Sequence, residues 1–194
     1  FRGRSVTDRT TKMIFSARLL DVKFLEKPLE QPELLDYYTS ERFYLSGLGI
    51  SSRKYVKQSY IFRFGATEDV PVGIAYGVVL GYQVKNRERW YWGLHYSWGN
   101  FFKWGYFSTH AEYGAFVKPN ASTEAALNLE LNYFSGLFSI GNWKFRQFVK
   151  PVLTIGFNRP SYDRLTLNDG FGLNGFNSDK LSGTRRFMII IQTQ

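Results

Sequence analysis

Five segments in the middle of the chain alternate apolar and polar residues for about ten residues each. From Val72 to Val84 one face reads Val72, Ile74, Tyr76, Val78, Leu80, Tyr82, Val84, and the other Gly73, Ala75, Gly77, Val79, Gly81, Gln83. The next segment sets Trp90, Trp92, Leu94, Tyr96 and Trp98 against Tyr91, Gly93, His95, Ser97 and Gly99. From Ala125 to Tyr133, Ala125, Leu127, Leu129, Leu131 and Tyr133 oppose Ala126, Asn128, Glu130 and Asn132. Side chains on a strand point alternately to opposite faces, so a period of two predicts β-strands with one greasy and one wet face.

Extended along the chain, the pattern predicts about nine strands. They run near Lys12–Phe24, Phe43–Ser52, Val56–Gly65, Val72–Val84, Trp90–Trp98, Trp104–Val117, Glu124–Tyr133, Phe145–Asn158 and Arg185–Gln192. A polar loop with Pro28 and Pro32 spans Glu26–Glu41, and a long loop spans Arg159–Thr184. No helical period of consequence interrupts them. Regular hairpins with turn signals mean an antiparallel up-and-down meander within a single domain, residues 1–194.

Alternation alone does not say which face is outside, because a soluble barrel or sandwich shows the same period with its greasy face inward. Two features favour lipid. Trp90, Trp92, Trp98 and Trp104 cluster near predicted strand ends, and Trp and Tyr prefer the membrane–water interface. The wet face carries His95, His110, Glu112, Asn128 and Glu130 at strand centres among Gly and Ala, a mixture that a water-filled or plugged lumen tolerates. Tilted strands of roughly 9–11 residues suffice to cross a bilayer. The fold predicted is all-β, a transmembrane β-barrel.

Composition agrees. Aromatic residues make up 19% of the chain, which suits a barrel with aromatic girdles. There is no Cys among the 194 residues, which excludes a disulfide scaffold and Cys-based metal or nucleophile chemistry. The net charge of +9 is accounted for by charge scattered through loops and one strand face, and it also suits a phosphate-bearing partner, here the lipid bilayer and lipopolysaccharide. No run of five Lys or Arg appears, so no nucleic-acid partner is expected.

Candidate chemistry is sparse. Gly170, Gly172 and Gly175 fit GxGxxG in spacing, but a strand rather than a helix follows, so no dinucleotide cofactor is expected. There is no GxSxG elbow, HExxH motif or P-loop, and the chain does not read as an enzyme. His95 and His110 are the only histidines and fall on wet faces of neighbouring strands. Without a third ligand placed by the sequence they read as lumen histidines, with no metal. Glu112, Glu124 and Glu130 are expected to meet Arg146 or Lys150 across the lumen. Lys85, Arg87 and Arg89 are expected in a turn, solvated or at the headgroup level.

The segment Gly172-Leu173-Asn174-Gly175-Phe176, followed by Gly183, Arg185 and the strand Phe187–Ile191, resembles the signature loop of the Omp85 superfamily. That family includes the BamA- and TamA-like assembly factors and the two-partner secretion transporters. Asn174 stands where the family has Arg; it can hydrogen-bond but brings no charge. The turn Thr67–Pro71 resembles that of Bacteroidetes members. The resemblance is strongest over the last 35 residues or so. It implies a sixteen-stranded barrel with the loop before the twelfth strand, so that several strands would precede Phe1 and about four would follow Gln194. An odd count of nine points the same way, since single-chain bacterial barrels have even numbers. It further implies that Leu173, Asn174, Gly175 and Phe176 dock the loop against the inner wall, with Phe176 as aromatic anchor and Gly175 permitting a tight turn.

By this resemblance the chain would serve insertion or translocation of polypeptides at the outer membrane, with unfolded outer-membrane or secreted chains as partners. The alternative is a passive barrel, either a membrane anchor for an N-terminal hydrolase domain or a porin-like channel. A third class, a soluble β-barrel around a small apolar ligand, would require the greasy face to be buried.

Overall fold

The structure, a computed structural model, describes residues 10–26, 38–61, 66–117, 123–160, 163–168, 170, 172–178 and 180–194. Eight strands form one sheet in the order of the chain: β1 (Thr10–Val22), β2 (Glu41–Ser59), β3 (Thr67–Val84), β4 (Glu88–Phe102), β5 (Gly105–Val117), β6 (Glu124–Ser135), β9 (Gln147–Phe157) and β12 (Arg185–Thr193). Every neighbouring pair is antiparallel. Two small hairpins decorate the meander: β7 (Phe138–Ile140) with β8 (Trp143–Phe145), and β10 (Leu165–Thr166) with β11 (Ser182–Gly183). Among the described residues β1 and β12 are edges, each laddered on one side only.

The register assigns the faces. Ile74, Tyr76, Val78, Leu80 and Tyr82 share a face with Trp90, Trp92, Leu94 and Tyr96, with Leu127, Leu129 and Leu131, and with Phe187, Ile189 and Ile191. This greasy face is exposed: Leu80 is 59%, Trp90 64% and Ile191 69% accessible. The opposite face carries Gly, Ser, Asn and the charged strand residues, with Phe43, Tyr91 and Phe116 among them. Contacts that skip over strands occur on that opposite face. Arg53 on β2 donates to Ser97 Oγ on β4 at 2.9 Å. The rings of Phe43 on β2 and Phe116 on β5 are 5.7 Å apart, although three strand spacings in a flat sheet would separate their backbones by about 14 Å. The sheet therefore curls with its Gly- and polar-rich face inward and its greasy face outward.

Two expectations are corrected. Phe43–Ser52 and the described part of Val56–Gly65 are one strand, β2, whose ladder with β3 runs unbroken from Arg42↔Val84 to Ser59↔Thr67; residues 62–65 lie outside the described residues. Among the described residues the main sheet thus has eight strands rather than nine, and the odd-number argument for a larger barrel falls away. The second correction concerns Val72. It does not continue the outward row of Ile74 and Tyr76 but is buried with Val56, Ile61, Val70, Tyr106 and Phe134. The alternation inverts at Gly73, whose φ of +136° is in the region that favours glycine. Beyond that point the exposed positions are Thr67, Asp69 and Pro71, and the apolar ones turn in. The outward greasy run of β3 is therefore Ile74–Val84.

Candidate functional site on the inward face

The inward face carries three groups of polar residues, stacked along the strands. At the end bearing the long loop, Gln83 Nε2 donates to Glu41 at 2.8 Å, and Arg89 donates to Gln83 and, at 2.7 Å, to Glu124. Lys85 Nζ stands 3.4 Å from Glu41. The Arg89 guanidinium lies 4.0 Å over the Phe116 ring, and Phe43, Tyr91 and Phe116 pack beneath this network. Lys85 and Arg89 thus turn inward to carboxylates, where a solvated or headgroup-level position had been expected. Glu124 pairs with Arg89, not with Arg146 or Lys150.

The middle group follows from register. His95 on β4 is directly opposite Glu112 on β5, and Glu112 is opposite Asn128 on β6. His110 is opposite Glu130. One carboxylate oxygen, Glu112 Oε1, lies 3.3 Å from His95 Nδ1 and 3.2 Å from His110 Nε2. The two imidazole rings meet edge-on with centroids 4.7 Å apart. Glu130 pairs with Lys150 Nζ at 2.8 Å, one of the two cations expected for it, and accepts from Asn132 at 3.1 Å. Thr154 donates to Asn128 at 3.0 Å. All five residues named from the wet-face pattern lie on one wall. The sequence placed Glu112 on this face but did not join it to the histidines, because the joining depends on which residues of β4 and β5 face each other.

At the opposite end the inward face becomes apolar, with Tyr106, Phe134 and Phe148 packed against Val70 and Val72. Tyr106 donates to the Pro71 carbonyl at 2.8 Å. This cluster borders a cavity of about 530 Å³ that also reaches Asn132, Lys150 and Ile190. Arg146, which precedes β9, is buried 5.1 Å over the Phe134 ring, and its Nε and Nη1 have no hydrogen-bond partner among the described residues. Burial pushes its guanidinium below the ordinary value.

The long loop is held by backbone contacts. Leu173 N–H donates to the Leu167 carbonyl at 3.0 Å and Phe176 N–H to the Leu173 carbonyl at 3.1 Å. Gly175 sits at φ +74° in this turn. Leu173, Asn174 and Gly175 are exposed, while Gly172 and Phe176 are half-buried. A residue not singled out from sequence ties the loop to the wall: Arg186, on the inward face of β12, donates from Nη1 to the Thr166 carbonyl at 3.1 Å. Only its position within the basic pair that opens the last strand signals it.

Two clusters of aromatic residues lie on the outward face, one toward each end. Tyr82 and Trp90 pack at 4.9 Å near the loop-bearing end, with Trp92 on Tyr113 just below. Trp98, Phe102, Trp104, Phe107 and Tyr133 cluster at the other end, with Phe102 and Trp104 stacked at 4.8 Å. Comparison with protein-family models, curated proteins and solved structures gave no match to this chain.

Proposed function

We propose that this sheet is a wall of a bacterial outer-membrane β-barrel of Omp85 type, with its greasy face to lipid and its polar face to a lumen. One observation carries this reading. Between Thr11 and Leu19, Tyr44 and Ser52, Ile74 and Val84, Trp90 and Phe102, Phe107 and Val117, Ala125 and Tyr133, Val149 and Phe157, and Phe187 and Thr193, no outward residue is charged. A soluble sheet would bury its greasy face; here that face is exposed and carries no charge. The dimensions agree. Ile74–Val84 has the length of a tilted crossing strand. Trp90 and Trp98 are about 27 Å apart along β4, or about 20 Å along the barrel normal at a typical tilt, and Trp90 and Phe102 about 31 Å. These values bracket the apolar band of about 25 Å expected between aromatic girdles.

In this reading the activity is insertion or translocation of polypeptides, and the resemblance of Gly172–Phe176 to the Omp85 loop supports it. The exposed, uncharged Asn174 favours a second reading, a passive barrel serving as anchor or channel. Two experiments on the full-length protein test these readings. Retention in outer-membrane fractions through urea and carbonate extraction is expected; release as a folded soluble protein would overturn the membrane assignment. Depletion is expected to lower the level of other outer-membrane barrels if the chain handles polypeptides, and unchanged levels would favour the passive barrel.

A further inference from the structure

We propose that His95, His110 and Glu112 form a binding site for a divalent transition-metal ion of the zinc class on the inward wall. The argument is geometric and does not depend on what the barrel transports. Two imidazoles and one carboxylate are the donor set of open zinc sites, in which a fourth position is left to water or another ligand. The ligand atoms are already gathered: one from each of His95, His110 and Glu112, all within 4.8 Å of one another. Metal–ligand bonds of about 2.0–2.1 Å place tetrahedral donors about 3.3 Å apart. The two His-to-Glu112 separations, 3.3 and 3.2 Å, match that edge. The third separation needs only a rotation of the imidazoles, which meet edge-on without stacking.

The scaffold suits such a site. His95 and Glu112 are cross-strand partners, and His110 precedes Glu112 by two residues on the same face. All three side chains therefore rise from two laddered strands, with no loop to order when the ion binds. They are accessible from the inward side, with 41%, 32% and 53% of the side-chain surface of His95, His110 and Glu112 exposed. An ion can reach them, and the fourth position faces water. An octahedral oxygen-preferring cation such as Mg²⁺ does not suit a site with two nitrogen donors, whereas zinc, copper or nickel do.

The test uses the full-length protein, stripped with a chelator in detergent micelles. Titration with Co²⁺ is expected to give one equivalent with the visible bands of four-coordinate cobalt, which Zn²⁺ abolishes. His95→Gln, His110→Gln and Glu112→Gln are each expected to weaken Zn²⁺ binding at least about tenfold in calorimetry, with the heat-modifiable gel shift of the folded barrel retained. Because a variant may misfold, Cu²⁺ bound to the wild-type protein supplies an independent readout. Its electron paramagnetic resonance spectrum should carry coupling to two imidazole nitrogens. Cobalt binding no stronger than in the His95→Gln/His110→Gln variant, or a copper spectrum without nitrogen coupling, would overturn the proposal and leave the cluster as a hydrogen-bonded His–Glu–His group.

Discussion

At Gly73 a Cβ would lie 2.2 Å from the Ser52 carbonyl oxygen, in a conformation (φ +136°) that other residues rarely adopt. Gly105 repeats the arrangement against the Phe134 carbonyl. Gly73→Ala is therefore expected to destabilise the folded sheet by about 1–3 kcal/mol, read as a lower urea midpoint on refolding into lipid vesicles. An unchanged midpoint would mean that the inversion does not depend on glycine. Single residues were legible in sequence where periodicity alone decides, as for Glu130, His95 and Asn128 on the wet face. They were not legible where register decides. Glu112 meets both histidines because the two-residue turn Lys103–Trp104 sets Phe102 opposite Gly105 and hence His95 opposite Glu112. A one-residue slip would send the partner to the other face. Similarly, the pairing of Arg89 with Glu124 joins β4 to β6 across an intervening strand, and no local pattern announces that contact.

At the scale of elements, β3, β4, β5 and β6 could be read from alternation to within a few residues at each end, because each keeps its sidedness over most of its length. β2 could not. Arg53 and Lys54 interrupt its alternation, which imitates a turn, yet the backbone ladder passes straight through while the faces exchange. Sidedness also gives the sharpest contrast between substitutions. Leu94 is midway between Trp90 and Trp98 on the outward face, and Asn128 is on the inward face. Leu94→Arg is expected to cost about 2–4 kcal/mol in a bilayer, the value for an arginine near the midplane, and Asn128→Arg is expected to be close to neutral. Urea unfolding of both variants in vesicles checks this, and equal costs would contradict the assignment of faces. In the long loop, Phe176 is half-buried while Leu173 and Asn174 are exposed. Phe176→Ala is expected to lower stability by about 1–2 kcal/mol, visible as loss of heat-modifiability at a lower temperature. An unchanged transition would remove Phe176 as an anchor.

For the whole molecule, the main tension lies between the lipid-compatible face and the two edges. Along β1 and β12 one row of backbone groups lacks a ladder among the described residues, and hydrocarbon does not tolerate such groups. In a membrane these edges must pair, with each other, with further strands or with a second copy. The central claim is nevertheless about faces, and the absence of Cys makes it directly measurable. Single cysteines replacing Leu80, Leu94 or Leu129 on the outward face, and Ser97 or Asn128 on the inward face, would carry a nitroxide label in the protein reconstituted into vesicles. Accessibility to oxygen, which concentrates in lipid, would then be compared with accessibility to a water-soluble nickel chelate. The three outward labels are expected to favour oxygen and the two inward labels the nickel chelate. Outward labels that favour nickel would contradict the barrel and return the greasy face to the role of an interface with another protein surface.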